Sequence, residues 1–124
     1  MWSWRHKRVR RRGKPTKRYV AHKEAARALI HARLEALNAH YNFAYNRVAI
    51  RDQKSRWGSC SKKCNLNFNY RLIFLSPHLR DYVIVHELCH LQEFNHSPAF
   101  WRLLERAVPA YRACRKELRT MRLR

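Results

Sequence analysis

The chain has 124 residues, 46% of them hydrophobic, and 28 Lys and Arg against 8 Asp and Glu give it a formal net charge of +20. That length suits one domain with a modest core. Two glycines and four prolines argue against long flexible linkers, and no segment approaches the length of a transmembrane helix, so membrane insertion is not expected.

In chain order, residues 1–20 carry Arg5, Lys7, Arg8, Arg10, Arg11, Arg12, Lys14, Lys17 and Arg18 with no acid. Like charges repel and bury nothing, so this stretch reads as a flexible basic arm. Arg8, Arg10, Arg11, Arg12 and Lys14 are its candidate contacts to nucleic acid, the polyanion such a surface most readily attracts. Residues 21–124 read as the folded domain. Met1-Trp2-Ser3-Trp4 runs into charge rather than an apolar core segment, which is not a secretory signal. A cytoplasmic location is expected, with Cys60, Cys64, Cys89 and Cys114 reduced.

Residues 21–40 read as a helix with an apolar stripe of Ala25, Ala28, Leu29, Ala32, Leu34, Ala36 and Leu37, stopped near Asn38 or Asn42. Residues 43–75 read as three short antiparallel strands. Val48 and Ile50 alternate with Arg47, Ala49 and Arg51. Leu66, Phe68 and Tyr70 alternate with Asn65, Asn67, Asn69 and Arg71. Lys62-Lys63-Cys64-Asn65 reads as the hairpin turn. Ser76-Pro77 starts a helix expected to reach about Phe94, with Asn95 as a left-handed stop. Ser97-Pro98 starts a last helical region, broken near Pro109 and resuming through Leu118. The order is α+β.

The chemistry sits in His86-Glu87-Leu88-Cys89-His90. On a helix, residues four apart share a face, so both imidazoles can reach one metal while Glu87 addresses its water. Catalytic zinc takes three protein ligands and keeps a fourth position open. His96, past the helix stop, is the third candidate. The ligand spacing is also that of the metzincins, but Glu93 stands where their pattern has glycine. No methionine turn follows, since the only methionines are Met1 and Met121. Metzincin membership is therefore rejected.

The expected function is a zinc-dependent metallopeptidase with one Zn2+ per chain. Glu87 would act as the base that activates a zinc-bound water. Tyr82, His78, Arg71 and Tyr111 are candidates for the oxyanion donor. Glu93 and Asp81 are candidates to support the histidines. A second metal site at Cys60 and Cys64 would lack ligands.

Further stretches carry a resemblance. They are Arg56-Trp57-Gly58-Ser59-Cys60-Ser61, Leu66-Asn67-Phe68-Asn69-Tyr70-Arg71-Leu72, Asp81 to His90, Asn95-His96-Ser97 and Phe100-Trp101. Across about residues 20–118 the chain resembles the YgjP-like zinc metallopeptidase domain, which is related to SprT-like and WLM minimal zincins. The resemblance implies a minimal zincin core with His86, His90 and His96 matching the zinc ligands and Glu87 the catalytic glutamate. Cys64 departs from it, standing where the family's turn glycine is expected.

The expected partners are a protein or peptide substrate and, through the basic ends, nucleic acid; the sequence does not set the oligomeric state. The alternative is a basic nucleic-acid-binding module with a structural zinc site. A third reading is a latent peptidase whose C-terminal segment covers the cleft.

Overall fold

The computed structural model describes residues 13–123. Arg8, Arg10, Arg11 and Arg12 of the expected nucleic-acid contacts lie outside the described residues, and Lys14 is exposed just ahead of the first helix.

Helix α1 spans Lys17–Asn38, beginning inside the stretch read as an arm. Thr16 starts it by accepting the Tyr19 N–H at 3.1 Å, which satisfies one of the helix's free donors. Its buried stripe is Ala26, Ile30, Leu34 and Leu37. The expected stripe was misphased. Ala25, Ala28, Ala32 and Ala36 are all exposed, because alanine suits a helix wherever it points and so reports no face. Asn38 ends the helix as expected, and its side chain bonds both the N–H and the carbonyl of Phe43. Asn42 takes the left-handed conformation, with φ 60°.

Three strands follow: β1 Val48–Arg51, β2 Gly58–Cys60 and β3 Leu66–Asn69. The sheet order is β1-β3-β2. β2 and β3 form the expected antiparallel hairpin, but β1 pairs with β3 in parallel. The sheet is therefore mixed, not wholly antiparallel. The cause is the 52–57 loop, which carries the chain from the end of β1 over the end of β3 to the far edge. Asn69 pins that loop from inside the core. Its side-chain amide donates to the carbonyls of Gln53 and Arg56 at 2.5 and 2.9 Å, and Trp57 accepts the Asn69 N–H at 2.9 Å. Arg71 adds an ion pair to Asp52 at 2.7 Å. An alternating pattern marks strands without marking which neighbour each will choose.

A 3-10 turn, Tyr70–Phe74, leads into α2, Pro77–His90. α3 spans Pro98–Glu105 and α4 spans Tyr111–Thr120. α2 is the centre of the fold. Every residue from Tyr82 to His90 is buried, and the helix packs on α1, β2, β3, α3 and α4. A helical stretch with no solvent face must be covered on every side, and this arrangement covers residues 82–90. Val83, Ile84, Val85 and Leu88 are fully buried, each stabilising the fold by about 1.5–3 kcal/mol. α2 ends at His90 rather than near Phe94, and Asn95 is not among the described residues with positive φ. The chain between α2 and α3 thus begins earlier, directly after the second motif histidine.

Cys64 occupies the hairpin turn with φ 64°. Its N–H bonds the Ser61 carbonyl at 3.0 Å, closing the turn. The left-handed conformation costs a side-chain-bearing residue about 1–2 kcal/mol, against about 0.5–1 kcal/mol of extra chain entropy that glycine loses on folding. Cys64→Gly should therefore raise stability, by up to about 1.5 kcal/mol. A higher urea midpoint at unchanged slope is the expected result.

Candidate metal centre

His86 and His90 lie one turn apart on α2, and His96 comes from the segment that joins α2 to α3. One nitrogen from each ring lies within 4.8 Å of the others, and this is the one cluster of His, Cys, Asp or Glu among the described residues that could hold a metal ion. His90 Nε2 and His96 Nε2 are 3.0 Å apart. Two ligands of a tetrahedral zinc with ordinary bonds are separated by about 3.3 Å, so the pair is close to ligand spacing.

A second contact orients His90. His90 Nδ1 donates to the Glu93 carbonyl at 2.8 Å. A ring nitrogen that faces a carbonyl oxygen carries the proton, so Nε2 presents its lone pair toward His96. Glu93 thus supports the site, but through its backbone rather than its carboxylate. Asp81 does not support it. Its carboxylate is held by the Arg33 guanidinium at 2.8 and 3.0 Å, tying α2 to α1.

Phe100 forms the floor. It is fully buried, and its ring lies 4.4 Å from His90 and 5.0 Å from both His86 and His96, centre to centre. Trp101 stacks on His96 at 5.7 Å. Ser97, whose side chain caps α3 at the Phe100 N–H, sets both aromatics just beyond His96. The sequence marked Phe100 and Trp101 only as part of a resemblance. The short spacing from His96 through the Ser97 cap is the signal that places them at the site.

Burial dominates the electrostatics. It pushes His86 well below the ordinary histidine range, with smaller contributions from His90, His96 and Arg115. It pushes His90 down to about 4, and it lowers His96 as well, assisted by Arg115. All three rings are therefore neutral at neutral pH, the form that binds metal. Glu87 is fully buried, and burial raises its carboxyl well above the ordinary range, offset in part by Arg56. Neither of its oxygens has a hydrogen-bond partner among the described residues, and Oε2 lies 3.7 Å from His86 Nδ1. An uncompensated buried carboxyl is costly, and cation charge beside it offsets that cost. The donor set of three neutral imidazoles with an adjacent carboxylate fits a divalent metal of the zinc type.

Gly58 packs against Glu87. A Cβ there would stand 3.1 Å from both the Glu87 carboxylate and the Asn67 carbonyl. Strand β2 is thus pressed on the motif at a point where any side chain would force its neighbours to give.

A cleft of about 660 Å³ opens on the site, with His86, His96, Tyr82, Trp57 and Trp101 among its walls. Of the oxyanion candidates, only Tyr82 lines it. His78 meets Glu117 on the surface at 2.9 Å, Arg71 holds Asp52, and Tyr111 stacks on Trp101 at 5.2 Å. Cys89 and Cys114 are core residues.

Two expectations follow. Gly58→Ala should destabilise by about 1–3 kcal/mol through overpacking, read as a lower urea midpoint. The second concerns metal-free protein. A carboxyl whose folded pKa is raised contributes stability in full below its unfolded value, 4.5, and loses it as pH rises toward the folded value. Metal-free Glu87→Gln should therefore gain on wild type as pH rises from 4 to 8. Parallel melting temperatures across that range would contradict this.

The chain also has recognisable relatives. No curated protein matches it. Among solved structures it is similar to the metallopeptidase zymogen abylysin of Pyrococcus abyssi, with 24% identity, 73% of this chain and 92% of that chain covered, and a TM-score of 0.66. It is also similar to the metallopeptidase zymogen jannalysin of Methanocaldococcus jannaschii, with 24% identity, coverage of 76% and 91%, and a TM-score of 0.54. At that identity these two establish a shared fold. The sequence profile of the YgjP-like metallopeptidase domain matches residues 4–121. With that match spanning nearly the whole chain and enclosing the three-histidine cluster, the chain belongs to the YgjP-like metallopeptidase family.

Proposed function

We propose that this metallopeptidase is a zinc enzyme held by His86, His90 and His96, with Glu87 as its general base. The observation that supports it most directly is the convergence of three neutral imidazoles within 4.8 Å beside a buried carboxyl. When bound, zinc supplies Lewis acidity that polarises the scissile carbonyl and makes water easier to deprotonate. Glu87 receives the proton of the attacking water and delivers it to the departing amine. Its raised pKa suits a group that must hold and then release that proton. Tyr82 is the proposed oxyanion donor. It lines the cleft, its ring centre is 5.9 Å from that of His86, and burial raises its phenol so that it stays protonated. A protonated phenol donates a hydrogen bond to developing negative charge. Phe100 and Trp101 hold the imidazoles in place.

The substrate is a peptide bond, as family membership implies. The family match favours this over a binding module that uses zinc only to hold its fold. Nucleic acid is proposed as an additional partner that recruits the enzyme through Arg8, Arg10, Arg11, Arg12 and Lys14. Its support is the net charge of +20. No helix among the described residues is long and apolar enough to cross a membrane.

A latent form is a second reading, and a specific observation favours it. Leu118, Met121, Arg122 and Leu123 form part of the cleft wall, and both structural relatives are described as zymogens.

The test is peptide hydrolysis by zinc-loaded protein, as the full chain and ended at Thr120. Glu87→Gln should lower kcat by about 100-fold or more, the usual contribution of a positioned acid–base group, and should retain zinc. Equal turnover by wild type and Glu87→Gln would remove the proposed mechanism. Higher activity on trimming would support latency, and equal activity would rule it out.

A further inference from the structure

The cleft beside the three histidines carries charge of one sign. Its charged lining residues outside the histidines are Lys54, Arg115, Arg119 and Arg122, with no Asp or Glu on the wall. None of the four takes part in an ion pair among the described residues. Charges of one sign in a cleft with low-dielectric walls focus their field inward and favour an anionic ligand.

Arg115 is the best placed of them. It and Tyr111 sit one turn apart on α4, and both pack on Trp101. The Tyr111 ring stacks at 5.2 Å and the Arg115 guanidinium lies 5.0 Å from the ring centre. Trp101 in turn stacks on His96. A chain of contacts thus runs from the guanidinium over Trp101 to the candidate metal ligand. Stacking on an aromatic face fixes the plane of a guanidinium and leaves its N–H edge free to meet a carboxylate in fork geometry. Arg115 lines the same cleft as His86, His96 and Tyr82, the residues nearest the proposed reacting centre.

We propose that the cleft selects peptides bearing a carboxylate next to the scissile bond, and that Arg115 receives it. The inference rests on the peptidase reading. It names the substrate class of that same site. The carboxylate has two sources, an internal Asp or Glu side chain or the free C-terminus of the peptide. Arg119, Arg122 and Lys54 extend the same preference along the cleft, which suits acidic stretches of protein.

The experiment uses zinc-loaded full-length chain and matched peptides. One pair differs by Asp against Asn beside the scissile bond, and another by a free against an amidated C-terminus. For wild type, kcat/KM should favour the carboxylate member of at least one pair by about tenfold or more, the size expected of a charge-assisted hydrogen bond. The pair that shows the preference identifies the source. Arg115→Gln should bring that ratio toward one mainly through KM, and Arg115→Glu should reverse it. Equilibrium binding of the same peptides to Glu87→Gln protein gives a readout independent of turnover. A carboxylate preference in binding that Arg115→Gln removes, without turnover by wild type or by the chain ended at Thr120, would uphold the carboxylate site and sink the peptidase reading. Equal binding within both pairs, or a preference that survives both Arg115 substitutions, would overturn the inference whether or not wild type cleaves. An oligonucleotide that outcompetes every peptide at this cleft, and loses affinity with Arg115→Gln, would assign the cleft to nucleic acid instead.

Discussion

The structure depends on burying α2 from every side while that helix carries two imidazoles and a carboxylate. An ordinary buried helix is filled with apolar residues. This one places His86, Glu87 and His90 at 3%, 0% and 1% exposure among Val83, Ile84, Val85 and Leu88. Desolvation penalises every charged form there. It leaves the rings neutral and raises the carboxyl. The same burial thus leaves neutral rings of the kind that bind a cation and a carboxyl with a high affinity for its proton. The cost in stability is local, and a cation bound where the donors converge would offset it.

The other elements serve that helix. α1 is tied to it by Arg33 and Asp81. β2 presses Gly58 onto Glu87. α3 supplies Phe100 beneath all three rings. α4 lays Tyr111 and Arg115 on Trp101 and so closes the far wall. A small domain with little stability to spare uses the same residues as core and as the frame of its active cleft.

Much of this was legible in the sequence because the signals were local. Ser97-Pro98 and Ser76-Pro77 marked their helix starts, Leu66 and Phe68 marked a strand, and the motif histidines carried their spacing with them. Other features depend on contacts distant in sequence. The parallel pairing of β1 with β3 follows from Asn69 holding the 52–57 loop, which no period in the sequence reports. The true stripe of α1 was masked by alanines that fit either face. Arg115 lies among the many cations of residues 112–124, with nothing local to single it out. Only the fold brings it over Trp101, 14 residues away along the chain. Glu93 was singled out for its carboxylate, yet its backbone carbonyl is what meets His90. Cys64 ran the opposite way. The turn does take a left-handed residue there, so the glycine that the family resemblance led one to expect has a sound reason that this chain overrides.

The central claim is that three histidines, one from beyond the motif helix, hold one catalytic metal. The measurement that tests it most directly is bound metal by elemental analysis of protein purified without added metal, for wild type and His96→Ala. The account predicts about one zinc per wild-type chain and strong loss in the variant, with the fold retained by circular dichroism. Absence of metal from wild type, or full retention by His96→Ala, would contradict it.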